Sequence, residues 1–165
     1  MDLAAIFERA GCGSVATYIQ SGNVLFEASS ALARRIPTLV EKAILERFGY
    51  RVPVVTRTGD EIRKVVRGNP FLRGGADAGT LHVAFLAGAP TGAKVKALDP
   101  DRSPPDEFAV RGREIYLRCP NGFARTKLTN AYFDSKLGTT STVRNWKTVE
   151  ALLELAGQYL QGTIG

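Results

Sequence analysis

The stretch Thr17–Ala28, TYIQSGNVLFEA, constrains the fold more than any other part of the chain. Two runs of period-two residues close back on each other across a polar, glycine-containing tip, the pattern of a β-hairpin. Val15, Thr17 and Ile19 fall on one face, and Ala16, Tyr18 and Gln20 on the other. The return strand is Val24–Ala28, after a Ser21-Gly22-Asn23 tip that suits either a type II′ turn or a slightly longer loop. A plain hairpin and a displayed recognition loop share this appearance.

Helical periodicity surrounds the hairpin. Leu3, Ile6, Phe7 and Ala10 predict a helix that stops at Gly11. Leu32, Ile36, Leu39, Val40, Ala43, Ile44 and Phe48 predict a longer one, with Ser30 as N-cap and Gly49 as its end. Pro37 either kinks that helix or opens its regular part. Val52–Thr56 reads as a strand. Thr58 and Glu61 then form a capping box for a helix carrying Ile62, Val65 and Val66, closed at Gly68 before Asn69-Pro70.

After glycine-rich 74–79 the pattern restarts. Leu81–Ala87 alternates as a strand and Ala93–Leu98 makes a short helix. Asp99–Glu107 is a polar loop. Phe108–Val110 and Glu114–Cys119 pair through Arg111-Gly112-Arg113. Helices near Asn130–Leu137 and from about Asn145 complete the chain, the last with Trp146, Val149, Leu152, Leu153 and Ala156 on one face. The halves read α-β-β-α-β-α and β-α-β-β-α. The fold class is therefore α+β, expected as two ferredoxin-like α/β subdomains in tandem, with mainly antiparallel sheets and helices on one face. The expected bounds are 1–73, with a central first strand missing, and 80–165, joined by a 74–79 linker.

At 165 residues, 44% hydrophobic and 23% charged, the chain has material for a sizeable core. No run approaches the length of a membrane span, and residues 1–13 carry no signal pattern, so a cytoplasmic protein without a membrane partner is expected. Cys12 and Cys119 lack any partnered spacing, which supports neither a disulfide framework nor a zinc site.

The net charge of +6 is concentrated. Between Phe108 and Thr148, Arg111, Arg113, Arg118, Arg125, Lys127, Lys136, Arg144 and Lys147 face only Glu114 and Asp134, and the remainder is balanced. Such a surplus fits an anionic partner, nucleic acid or a phosphorylated small molecule, as well as a plain solvated face. The main candidates lie in Pro120–Lys127, PNGFARTK, where an Asn121-Gly122 turn precedes cations beside hydroxyls. Arg118, Asn121, Arg125, Thr126, Lys127 and Lys136 are anion-binding candidates, Thr129 offers a further hydroxyl, and Phe123 and Tyr132 offer stacking faces. Arg144, Asn145 and Lys147 join them at the start of the Trp146 helix, where backbone N–H groups favour anions. Gln20, Ser21 and Asn23 are hairpin-tip candidates. No catalytic constellation and no metal or cofactor motif is present. His82, the single histidine, faces away from Leu81, Val83 and Phe85 and reads as structural, and Cys119 reads as a buried small hydrophobe. Gly74, Gly75 and Gly79 lack the lysine-threonine ending of a phosphate loop, and no stretch carries the RNA-recognition RNP1 pattern.

The stretches TYIQSGNVLFEA, YLRCPNGFARTKLTNAYFDSKLG and STVRNWKTVEALLELA resemble the domain-of-unknown-function 1697 family of small, mainly bacterial proteins, over roughly Asp2–Leu155. The resemblance implies two ferredoxin-like subdomains and no function. It also implies an opening strand and glycine-rich loop. Here Met1-Asp2-Leu3 corresponds to the start of the helix that follows them, so a late-placed start codon or a truncated chain is expected. The functional expectation is a binding protein for nucleic acid or another phosphate-bearing ligand, through the 108–148 surface. The alternatives are an enzyme or sensor for a small anionic metabolite in the inter-subdomain cleft, and a protein-interaction module, including a homodimer.

Overall fold

The computed structural model describes residues 2–18 and 22–156. By contacts the chain divides into two units. One takes in the described residues of Met1–Lys64 and Ala151–Gly165, the other Val65–Glu150.

In the first unit, α1 (Leu3–Arg9) is capped by Asp2, whose side chain accepts from the Ala5 N–H at 3.1 Å. Strands β1 (Gly13–Tyr18) and β2 (Asn23–Glu27) form an antiparallel pair with Tyr18 opposite Asn23 and a register shift between Gly13 and Ala16. Asn23 is thus a paired strand residue and not part of a two-residue Gly22-Asn23 turn, and residues 19–21 of the expected tip lie outside the described residues. Helix α2 runs Ser30–Phe48 with Ser29, one residue before the expected cap, accepting from Leu32 N–H. It continues through Pro37, so the proline is interior, and it ends where Gly49 adopts φ +78°. Ile6, Phe7, Cys12, Val24, Phe26, Ile36, Val40, Ile44 and Val54 form its core, with the Phe7 and Phe26 rings 5.0 Å apart.

The expected strand at Val52–Thr56 is not one. Val54 and Val55 are buried, but the Val54 N–H is taken by the Glu41 carboxylate at 2.8 Å, and no strand pairs with the segment among the described residues. Helix α3 (Gly59–Arg67) opens with the predicted capping box, Thr58 N–H on Glu61 Oε1 at 2.9 Å and Glu61 N–H on Thr58 Oγ1 at 3.1 Å.

The second unit holds the larger sheet. After α4 (Pro70–Arg73) and a single 3-10 turn at Ala78–Thr80 come β3 (Leu81–Leu86), α5 (Gly92–Lys96), β4 (Glu107–Arg111), β5 (Glu114–Arg118), α6 (Asn130–Leu137), β6 (Ser141–Asn145) and the start of α7 (Trp146–Ala156), whose residues from Ala151 on belong to the first unit. All pairings are antiparallel, in the order β4-β5-β3-β6. The element order β3-α5-β4-β5-α6-β6 is that of a ferredoxin-like, split βαβ unit. The described residues of the first unit contain a two-stranded sheet only, so the α+β class holds for the chain while this order belongs to the second unit. One face of the sheet, with Ala84, Leu86, Ile115 and Leu117, shares a core with Leu98, Leu128, Tyr132, Phe133 and Leu137. The other is closed too: Leu81, Val83 and Phe85 are fully buried, and Tyr116 donates its hydroxyl hydrogen to the Val65 carbonyl at 2.9 Å.

Candidate functional site

The position of each candidate follows from the sheet. β3 begins, and β5 and β6 end, at one rim: Leu81 is opposite Arg118, and His82 is opposite Asn145. The segment after β5 folds back over this rim. Gly122, at φ +93°, turns the chain into a 3-10 turn at Phe123–Arg125, and the Phe123 ring stacks on His82 with centroids 4.6 Å apart and planes at 24°. Arg118, Asn121, Arg125, Asn145 and Lys147 thereby gather around one end of the sheet.

They do not all present their polar groups alike. Arg118 is opposite Glu107 and holds its carboxylate at 3.3 Å. Thr126 is buried, and its hydroxyl accepts from Leu128 N–H at 3.1 Å. It also bonds the Cys119 thiol, whose pKa is pushed up to about 11 by burial, with Asp106 adding and Thr126 opposing. Lys127 is tied through its main chain, its N–H on Ser103 Oγ at 3.0 Å and its carbonyl accepting from Arg102 Nε at 2.9 Å. The Arg102 guanidinium lies 4.0 Å over the Tyr132 ring, and the Tyr132 hydroxyl accepts from Asp99 N–H, so loop 99–106 braces the Thr126–Leu128 segment. Arg144 points to the face shared with Val83, is half-buried with its pKa lowered by burial, and donates to the Val143 carbonyl at 3.0 Å. Asn145 caps α7, its Oδ1 accepting from Thr148 N–H at 2.8 Å.

Lys136 stands apart. It lies in the last turn of α6, and β6 begins nearby at Ser141, opposite Leu86 at the far end of the sheet. Arg111 and Arg113 flank the β4–β5 turn, also at that end. The basic surplus of the sequence is thus divided between two ends of one sheet. Thr129 caps α6, accepting from Tyr132 N–H at 3.2 Å. Asn23 is enclosed at the start of β2 and is not displayed at a tip, whereas Gln20 and Ser21 lie outside the described residues.

Two arrangements carried no signal along the chain. The His82–Phe123 stack is one. The other is a polar clamp in which buried Ser141 donates to Asp134 Oδ1 at 2.6 Å while Asn130 Nδ2 donates to the Ser141 hydroxyl at 3.1 Å and carbonyl at 3.2 Å. Among the described residues no three His, Cys, Asp or Glu side chains gather to hold a metal ion, and no helix is long and apolar enough to cross a membrane.

Residues 1–116 match the model of the family described as protein of unknown function (DUF1697). The chain belongs to that family. Among the DUF1697 residues matched are the hairpin and strands β3 and β4, while the PNGFARTK loop and β6 follow them. Neither a curated protein nor a solved structure matches the chain.

Proposed function

We propose that this DUF1697 chain binds a phosphate-bearing ligand, nucleic acid in single-stranded form, at the rim of the second unit's sheet where β3 begins. The observation that carries this reading is the exposure of Arg125, Lys127 and Lys147, whose side chains have no ion-pair partner among the described residues. Segment 119–128, β6 and the first turn of α7 contain no acidic side chain to neutralise them. Exposed cations without partners contribute little to folding, and they release counterions when they meet phosphates. Asn121 is exposed beside them and adds amide donors and acceptors.

Fluorescence anisotropy of a labelled single-stranded oligonucleotide, with a duplex alongside, tests the reading at low and moderate salt. Micromolar binding that weakens steeply with salt is expected. Arg125→Ala with Lys127→Ala should weaken binding and flatten the slope of log affinity against log salt by about 1.4, at roughly 0.7 per lost phosphate contact. Lys136→Ala, at the opposite end, should change neither. Absence of binding at low salt by a folded sample overturns the reading.

A further inference from the structure

The chain has a single histidine, and it stands where a central strand meets a loop. His82 is second in β3, and its cross-strand neighbours are Leu117 of β5 and Asn145 of β6. Its half-buried ring lies on the ring of Phe123, which packs at the margin of the second core. Segment 119–128 is fixed at one end by Cys119 N–H on the Thr80 carbonyl at 2.8 Å, and at the other by Lys127 N–H on Ser103 Oγ. Between those ties Asn121, Ala124 and Arg125 are exposed, and the ring pair fastens the turn to the sheet.

Nδ1 of His82 is buried without a hydrogen-bond partner among the described residues. The one main-chain acceptor that acts on the ring, the Thr80 carbonyl, also accepts from Cys119 N–H at 2.8 Å. The ionisable groups on the surrounding elements offer no relief. Glu114 and Arg118 of β5 and Arg144 of β6 share the opposite face with Phe85, Leu81 and Val83. Arg125 and Lys147 are exposed cations, Cys119 is a buried thiol, and Asp106 beside it takes the Ser103 hydroxyl at 2.8 Å.

A neutral imidazole fits this setting because one ring nitrogen can remain bare. An imidazolium must donate from both nitrogens, so protonation adds a charged donor to a half-buried site that offers one main-chain acceptor, shared with Cys119 N–H. The attraction of the cation for the Phe123 face offsets only part of that cost, since the gain at partly exposed sites is small. Burial also lowers the His82 pKa, with the Thr80 backbone opposing it, in the direction that this geometry requires.

We propose that His82 and Phe123 form an acid-released latch: the neutral ring holds the Asn121–Lys127 loop to the sheet, and protonation frees it. The latch goes beyond the ligand reading and stands whether or not a ligand binds. It makes the order of the segment carrying Asn121, Arg125 and Lys127 a function of pH on the acid side of the ordinary histidine value.

Amide exchange of the full chain by NMR, as protection factors corrected for intrinsic rates, tests this between about pH 7.5 and about pH 5. The single histidine supplies its own titration curve from the Cε1–H resonance. Protection at Gly122, Thr126 and Leu128, whose amides are hydrogen-bonded within the segment, should fall about tenfold along that curve, while Val83–Phe85 stays protected. His82→Phe keeps a ring for the stack but takes up no proton, and loop protection should then be flat with pH. Phe123→Leu provides the check if His82→Phe does not fold: its loop should exchange at about pH 7.5 as the wild type does in acid, and His82 should titrate at higher pH. Loop protection that stays flat while wild-type His82 titrates overturns the proposal. So does an undiminished drop in His82→Phe, or a uniform drop across β3.

Discussion

Asn145 serves the fold through an atom that a ligand would also want. Its Oδ1 closes the first turn of α7 on Thr148 N–H, so Asn145→Ala should cost about 1 kcal/mol in a urea melt, while Asn145→Asp keeps the cap and the helix-dipole match. Retained oligonucleotide affinity in a folded Asn145→Ala would place this side chain outside the binding surface. Thr126 is a parallel case, since its hydroxyl is engaged by Leu128 N–H and the Cys119 thiol. What could be read of single residues depended on the distance to their partners. The Thr58–Glu61 box is legible because both halves sit three residues apart. His82 and Phe123 meet only after a sheet has formed, and nothing near either residue announces the other.

Among the elements, α2 is the one at odds with its own sequence. Pro37 lies within Ser30–Phe48, where it removes a main-chain donor and crowds the preceding turn. Pro37→Ala should raise stability, by up to about 3 kcal/mol, read as a higher urea midpoint at unchanged m-value; a lower midpoint would mean that the bend is required by packing. Two elements show why strand reading succeeds or fails. Ser141–Asn145 is polar enough to pass for a helix approach, yet it is strand β6, because an outer strand needs only Val143 turned to the core and one neighbour, β3. Val52–Thr56 is more apolar, and its main chain meets a Glu41 carboxylate where a strand would be needed. Side-chain pattern is visible along a chain, whereas the ladder partner that makes a strand is not.

For the whole molecule, the α+β class was legible from the alternation of helical and strand periods, and the closing strand of the larger sheet was not. Its stability should show a descending alkaline limb. Tyr116 is pushed up to about 12 by burial, with Glu114 adding and Arg111 and Arg73 opposing, and Cys119 up to about 11. Both groups hold their protons longer folded than unfolded. Their contribution is complete below the unfolded values and is lost as pH rises from about 9 toward 12. Urea midpoints between about pH 8 and pH 11 should therefore decline, and Tyr116→Phe should flatten the part above about pH 10 while losing about 1 kcal/mol throughout with the Val65 bond. The place of β3 at the centre of its sheet carries a consequence for synthesis. Its two ladders run to Glu114–Arg118 and Ser141–Asn145, both made later. A ribosome releasing this chain from the N-terminus exposes the apolar LHVAFL segment first, and must deliver Asn145 before the segment is enclosed on both edges. Until then the middle of the finished sheet is a bare edge, and a pause in translation between residues 118 and 141 would leave it open to chaperones or to neighbouring chains.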